Sequence, residues 1–247
     1  MHIIFENEQF IILNKPSGMM VHSDGRTKPA RNATNIVASG EKTVVDFILG
    51  KYPKIKEVGE PMTLQTGEII YRPGIVHRID KETSGILLVA KTTESFEYFK
   101  QLFKDRKITK QYKALVWGNV AEDGIVDVSI ARSPSDFRKW SATRGKRGQE
   151  RDATTEYKVV KHIEEKGEKF TLLDVFPKTG RTHQIRVHMK YLQRPIVCDS
   201  LYAQNLHPAL GFNRLALHAE SISFVGPDGK DYSFQSPLPK EFADILA

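Results

Sequence analysis

Two β-rich runs, residues 154–162 and 169–175, are separated only by a short segment, Glu164-Glu165-Lys166-Gly167-Glu168. So short a connection, with a glycine in it, is a hairpin signal, because a parallel pairing needs a crossover of a dozen or more residues. Residues 215–224 and 232–234 repeat the pattern around Pro227-Asp228-Gly229-Lys230, where Asp-Gly suits a tight turn. Further short strands are expected at 3–5, 10–14, 75–76, 86–89 and 111–117. Helices are expected at 43–52, at 181–192, and at 93–105, where Phe96, Phe99, Leu102 and Phe103 share a face. Strands that arrive in hairpins, with a few helices between them, predict an α+β fold. Its centre is a mixed, mostly antiparallel sheet flanked by helices and loops. Residues 22–40 read as a loop and 53–73 as mostly irregular. No linker rich in Gly, Ser or Pro and no repeat period divides the chain, so one domain over 1–247 is expected.

Composition narrows the function. The 37 Lys+Arg residues outnumber the 30 Asp+Glu, for a net charge of +7, which points to a polyanionic partner. A single cysteine, Cys198, excludes an intramolecular disulfide and a cysteine-based zinc cluster and suits a reducing compartment. No leader peptide is recognised, and no apolar run approaches the roughly 18 residues of a membrane span. A cytoplasmic protein without membrane contact is expected. Phosphate loops, dinucleotide-binding glycine motifs, His-Glu-x-x-His and Gly-x-Ser-x-Gly are all missing. Nothing calls for a metal or an organic cofactor.

Two clusters carry chemistry. The first reads Arg-Pro-Gly-Ile-Val-His-Arg-Ile-Asp-Lys-Glu-Thr-Ser-Gly over residues 72–85 and leads into an apolar run. The same turn could be made from neutral residues, yet this one holds His77, Arg78, Asp80, Lys81 and Glu82; a solvated turn with local ion pairs is the plain alternative. An aspartate flanked by arginine and lysine keeps its negative charge near neutral pH and can serve as nucleophile or base. The second cluster, residues 177–199, holds Lys178-Thr179-Gly180-Arg181-Thr182-His183-Gln184-Ile185-Arg186-Val187-His188. Gly180 ahead of a helix start would leave backbone amides free, as in an anion site. A basic solvent face is the plain alternative.

His77-Arg78-Ile79-Asp80 followed by Thr83-Ser84-Gly85 resembles the signature of pseudouridine synthases of the RluA family. Asn14-Lys15-Pro16-Ser17-Gly18 with Val21-His22, Lys110-Gln111-Tyr112-Lys113-Ala114 with Gly118, and the 178–188 run with Pro195, Ile196 and Asp199 resemble its other motifs, in the family's order. The resemblance covers roughly residues 3–240. It implies conversion of uridine in RNA to its C5-glycoside isomer, without cofactor or metal. Asp80 is then the catalytic carboxylate, as nucleophile or base. Tyr112 would stack on the base and help remove the C5 proton, and Arg186 would ion-pair with the aspartate. Arg78 would fill the space of the flipped nucleotide, since the glycosidic bond is inaccessible in a stacked helix.

Substrate-binding expectations fall on Arg78, His77 and Thr83 in the first cluster and on Arg181 and His183 in the second. Lys139 and Arg144 join them from a basic segment, 131–152, with seven basic residues against three acids and with Phe137 and Trp140 interleaved. The first strand begins near residue 3, so the extra RNA-binding domain that many relatives carry is expected to be missing. The lead-in at Arg72-Pro73-Gly74-Ile75-Val76 looks most like the branch acting on large-subunit ribosomal RNA. Transfer RNA is the alternative substrate, and a monomer is the expected state. A catalytically silent RNA-binding or ribosome-assembly protein of the same fold is the rival class. The intact set of Asp80, Tyr112 and Arg186 favours the enzyme.

Overall fold

The computed structural model describes residues 1–22, 42–63, 67, 69–143 and 145–247. Nearly all of the loop expected at 22–40, and Arg144, lie outside the described residues. The elements run, in chain order, β1 (His2–Glu6), β2 (Phe10–Lys15), α1 (Val44–Lys51), a 3-10 turn (Pro53–Glu57), β3 (Met62–Thr63), β4 (Ile69–Ile70), β5 (Ser84–Ala90) and α2 (Thr93–Lys104). There follow β6 (Thr109–Trp117), β7 (Gly124–Asp127), β8 (Ile130–Arg132), β9 (Trp140–Ser141), β10 (Arg147–Arg151), β11 (Thr154–Glu165) and β12 (Glu168–Pro177). The chain closes with α3 (Gln184–Tyr191), β13 (Leu217–Val225), β14 (Asp231–Gln235) and α4 (Lys240–Leu246). It divides into two compact units, residues 1–108 with 224–234, and residues 109–223 with 235–247. No helix among the described residues is long and apolar enough to cross a membrane.

In the first unit β2 pairs antiparallel with β1 on one side and with β5 on the other. Phe10 to Leu13 and every residue of β5 are buried, which is why both strands read as continuous apolar runs rather than alternating ones. Phe10 organises an aromatic cluster, meeting the rings of Phe99, Phe224 and Tyr232 edge-on at 5.5, 5.5 and 5.1 Å. These contacts tie 224–234 to the N-terminal unit. Thr92 and Ser95 form a capping box that starts α2, and its apolar face supplies Phe96 and Phe99. The expected strand at Ile75-Val76 is a correction. Ile75 makes one isolated bridge, to Val89, and the chain then bends. Gly74 is the cause. It sits at φ +69°, and a Cβ there would strike the Ala90 carbonyl, so the chain turns at this point instead of continuing a strand.

In the second unit β13 and β12 flank β6, β11 pairs β12, and β7 pairs β11, all antiparallel. The β11–β12 hairpin is confirmed and is tighter than the sequence indicated. Glu165 pairs with Glu168, and Lys166 and Gly167 (φ +53° and +80°) make a two-residue turn. β10, β8 and β9 form a separate small antiparallel sheet from the basic segment. Between these sheets runs α3. Its residues Ile185 and Met189 enter the larger core with Leu115, Leu173 and Phe212, while Val187 packs with Ile130, Ala142, Ala153 and Tyr202. Residues 184–189 are therefore all buried, Arg186 and His188 included. The C-terminal helix α4 was not anticipated. Pro239 opens it, and Phe242 and Ile245, three apart, bury one face.

Buried histidines give the second unit a pH dependence. Burial, with the charge of Arg214, pulls His218 down to about 4, and burial lowers His188 in the same sense. The unfolded chain, with histidine near 6.5, binds protons first, so this stability is complete above about pH 6.5 and fades as pH falls toward 4. At pH 5 the His218 contribution lost is about 2 kcal/mol. Glu220, lifted by burial, acts in the opposite direction, so the test is a difference. Urea unfolding at pH 7.5 and pH 5 should show a loss in wild type that shrinks by about 2 kcal/mol in His218→Gln. Equal losses in both proteins would refute the assignment.

Candidate active site

In the first unit, residues 77–83 are held from several directions. Lys15 has no exposed surface, and its ammonium donates to the carbonyls of Pro16, Met19 and Lys81 at 2.9, 2.8 and 2.9 Å. The Ser17 hydroxyl donates to the Glu82 carbonyl at 2.5 Å, and the Gly18 amide to the Lys81 carbonyl at 2.9 Å. Thr83 is buried and its amide donates to the Asp80 carbonyl at 3.2 Å. The Asn-Lys-Pro-Ser-Gly run is thus the clamp on the main chain just after Asp80. Sequence reasoning quoted it as a motif without assigning it work. Replacing Lys15 with Met removes three hydrogen bonds to main-chain carbonyls, of which that of Lys81 keeps the Gly18 amide, at about 0.5–1.5 kcal/mol for each bond lost. We expect a clear loss of unfolding free energy and faster amide exchange at Gly18 and Thr83. Unchanged exchange there would show that the clamp is not needed.

His77 anchors the other end of the loop. The Leu88 amide donates to its Nε2 at 2.9 Å, and its ring stacks on Phe103 at 4.6 Å. Nε2 is therefore the acceptor, and the ring proton sits on Nδ1. Arg78 is exposed, with Nη1 3.2 Å from Nε2 of the buried His22. Asp80 itself is partly buried. So Asp80, Arg78, His77 and Thr83 share one braced loop.

In the second unit Tyr112 lies on β6, opposite Val175 on β12 and Ala219 on β13. Arg186 is 3% exposed and makes a two-pronged pair with Asp199, Nε to Oδ2 at 2.8 Å and Nη2 to Oδ1 at 2.7 Å. Asp199 Oδ1 also accepts the amides of Leu201 and Tyr202. The Tyr202 ring lies under the Arg186 guanidinium at 5.3 Å. Its hydroxyl accepts the Trp140 amide at 2.9 Å and lies 3.0 Å from His183 Nδ1. Arg186, His183 and the root of β9 therefore converge on Tyr202 and Asp199. Sequence reasoning quoted Asp199 only as part of a motif and missed Tyr202, whose signal was no more than its closeness to Asp199.

The helix start expected at 181 is a second correction. His183 is left-handed (φ +56°), and α3 begins at Gln184. The Gln184 carbonyl oxygen accepts from the Thr179 hydroxyl and the Arg181 amide, and its amide group donates to Thr154 and Thr155. The Arg181 amide is therefore taken, not free for an anion, and its Nε donates to the Asp152 carbonyl.

The basic segment is less positive in effect than in count. Arg138 grips Asp136 and holds its carboxyl down at about 2, and Lys146 pairs with Glu150 at 3.0 Å. Lys139 donates to Gln204 at 2.9 Å. Arg132 stacks on Trp140, its cross-strand partner, at 4.5 Å. Arg147 and Arg151 stand exposed on β10, and Phe137 is 71% exposed.

Residues 9–191 match the family model of RNA pseudouridylate synthase. The chain belongs to this family. The synthase is 33% identical over 246 residues to an uncharacterised RNA pseudouridine synthase of Bacillus subtilis, across 99% of this chain and 71% of that protein. It is 35% identical over 248 residues to the ribosomal large subunit pseudouridine synthase D of Borreliella burgdorferi, across 99% and 67%. Its fold is also that of the human RNA pseudouridylate synthase domain containing 4, with a TM-score of 0.69 at 22% identity over 99% of the synthase and 91% of the human chain. The α+β class and the expectation of an RNA pseudouridine synthase are thereby confirmed.

Proposed function

We propose that this synthase isomerises one or more uridines in structured large-subunit ribosomal RNA, with Asp80 as the catalytic carboxylate. The observation that carries the assignment is the bracing of the Asp80 loop through Lys15, Ser17, Gly18 and His77, which holds one carboxylate in a fixed place. The reaction breaks C1′–N1, turns the uracil and joins C1′ to C5. C5 loses a proton and N1 ends with one, so atoms balance without an added reagent. Following the family resemblance, Asp80 acts at the sugar through a glycal, and Tyr112 stacks on the uracil and assists proton loss from C5. Arg186 supports the charge of the site, and Arg78 takes the place of the flipped nucleotide.

Arg147, Arg151 and Lys139 meet phosphates, and Phe137 stacks on an unpaired base. The names of several relatives, such as that from Borreliella burgdorferi, support ribosomal RNA as the substrate class. Both compact units are assigned to one catalytic domain, since the family match runs through residues 108 and 109.

Tritium at uridine C5 is released on isomerisation. Purified protein should release it from unmodified large-subunit ribosomal RNA. Release from transfer RNA alone would move the substrate, and no release from any cellular RNA would end the enzymatic assignment. Mapping pseudouridine in cells lacking the protein then names the position.

A further inference from the structure

β6 carries Lys110 two residues before Tyr112, and strand alternation puts both on the same face, about 7 Å apart and within the span of one nucleotide. The Lys110 ammonium lies 3.4 Å from the Thr179 carbonyl, a long contact for a charged donor. Burial alone acts on it, bringing its pKa down to about 8 with no carboxylate contributing. Other lysines of the same unit are served differently. Lys113, on the opposite face of β6, has Asp174 at 2.5 Å and Glu220 at 3.6 Å, and Lys178 has Glu156 at 2.6 Å. Among the described residues Lys110 has no anionic partner within ion-pair distance.

A desolvated cation is costly until an anion meets it. The protein places this one beside the tyrosine assigned to the uracil, at the end of β6 next to the loop that carries Arg181 and His183. The anion that RNA brings to such a place is its phosphodiester. We propose that Lys110 binds the RNA phosphodiester adjoining the target uridine, so that base and backbone of one nucleotide are held on the same face of β6. This rests on the assignment of Tyr112 to the base. Lys110 is then a substrate-positioning residue of the isomerisation, and the bound phosphate supplies the charge that the fold withholds.

The test compares wild type, Lys110→Met and Lys110→Arg in tritium release from C5-labelled ribosomal RNA and in RNA binding across a salt series. Lys110→Met should raise KM and weaken binding about tenfold, with kcat changed less than about threefold. One phosphate contact is lost, so the slope of log affinity against log salt should fall by about 0.7–0.9. Lys110→Arg should restore most of both. Should Lys110→Met fail to fold, Lys110→Gln gives the same comparison. A KM and a salt slope equal to wild type would overturn the proposal, as would a loss of kcat at unchanged KM and slope. Wild-type protein that releases no tritium from any RNA would bring down the functional assignment instead, and the salt slope would still judge Lys110.

Discussion

Asp80→Asn is expected to lower tritium release from C5-labelled RNA by about 10²–10⁴-fold or more, with RNA binding and the unfolding midpoint close to wild type. The size of the effect follows from what the amide loses. Asparagine keeps the shape of the side chain but carries no charge, so it can neither accept a proton from the sugar nor attack it. Folding should be spared because the loop is fixed through main-chain atoms at and beside Asp80. The Thr83 amide donates to the Asp80 carbonyl, Lys15 and Gly18 meet the Lys81 carbonyl, and Ser17 meets that of Glu82. The measurement is initial-rate tritium release alongside filter binding of the same RNA. Asp80→Asn protein releasing label at the wild-type rate would remove Asp80 from the chemistry. Two proteins that bind RNA alike and both release nothing would leave a silent RNA-binding protein as the better description.

The second large effect belongs to Asp199. Asp199→Ala leaves the Arg186 guanidinium buried without its two-pronged partner and strips the acceptor from the Leu201 and Tyr202 amides. Removing one member of a buried ion pair costs about 3–5 kcal/mol. Arg186→Met leaves the Asp199 carboxylate buried, but the Leu201 and Tyr202 amides still donate to it, so its cost should be the smaller of the two. Urea unfolding of the two single variants and the double variant measures the coupling. A loss below about 1 kcal/mol for Asp199→Ala, against the expected 3–5, would mean that the pair is dispensable. Lysine at position 186 should not substitute, since one ammonium cannot reproduce the fork that meets both carboxylate oxygens.

Legibility differed between local and long-range features. The β11–β12 hairpin was visible because its turn chemistry and its strands lie in one short stretch. α2 was visible for the same reason, with its apolar face and its cap inside twelve residues. Ile75-Val76 misled because two β-branched residues look like a strand, whereas the turn at Gly74 and the bend after Ile75 belong to the approach of another strand's carbonyl. Start of the helix at 184 rather than 181 turned on Gln184 reaching Thr154 and Thr155, thirty residues away. The basic count over 131–152 was read correctly as composition, but the Arg138–Asp136 and Lys146–Glu150 pairs leave less of it for phosphates.

By itself the sequence determined the family and the class of fold and pointed to the residues proposed for the chemistry, because ordered motifs and hairpin spacing are properties of contiguous residues. It singled out Asp80 and placed it between an N-terminal Asn-Lys-Pro-Ser-Gly run and an apolar strand. Only the tertiary structure decided what holds that aspartate and what surrounds Arg186. Lys15 and the Lys81 carbonyl are 66 residues apart, and Trp140 and Tyr202 are 62 apart. Such partners are brought together by burial of apolar strands and helices, which selects who meets whom without leaving a local pattern. For the same reason the net charge of +7 announced a polyanion, while the half-buried Lys110 amine on the Tyr112 face, with no acid within ion-pair distance among the described residues, could be found only in three dimensions.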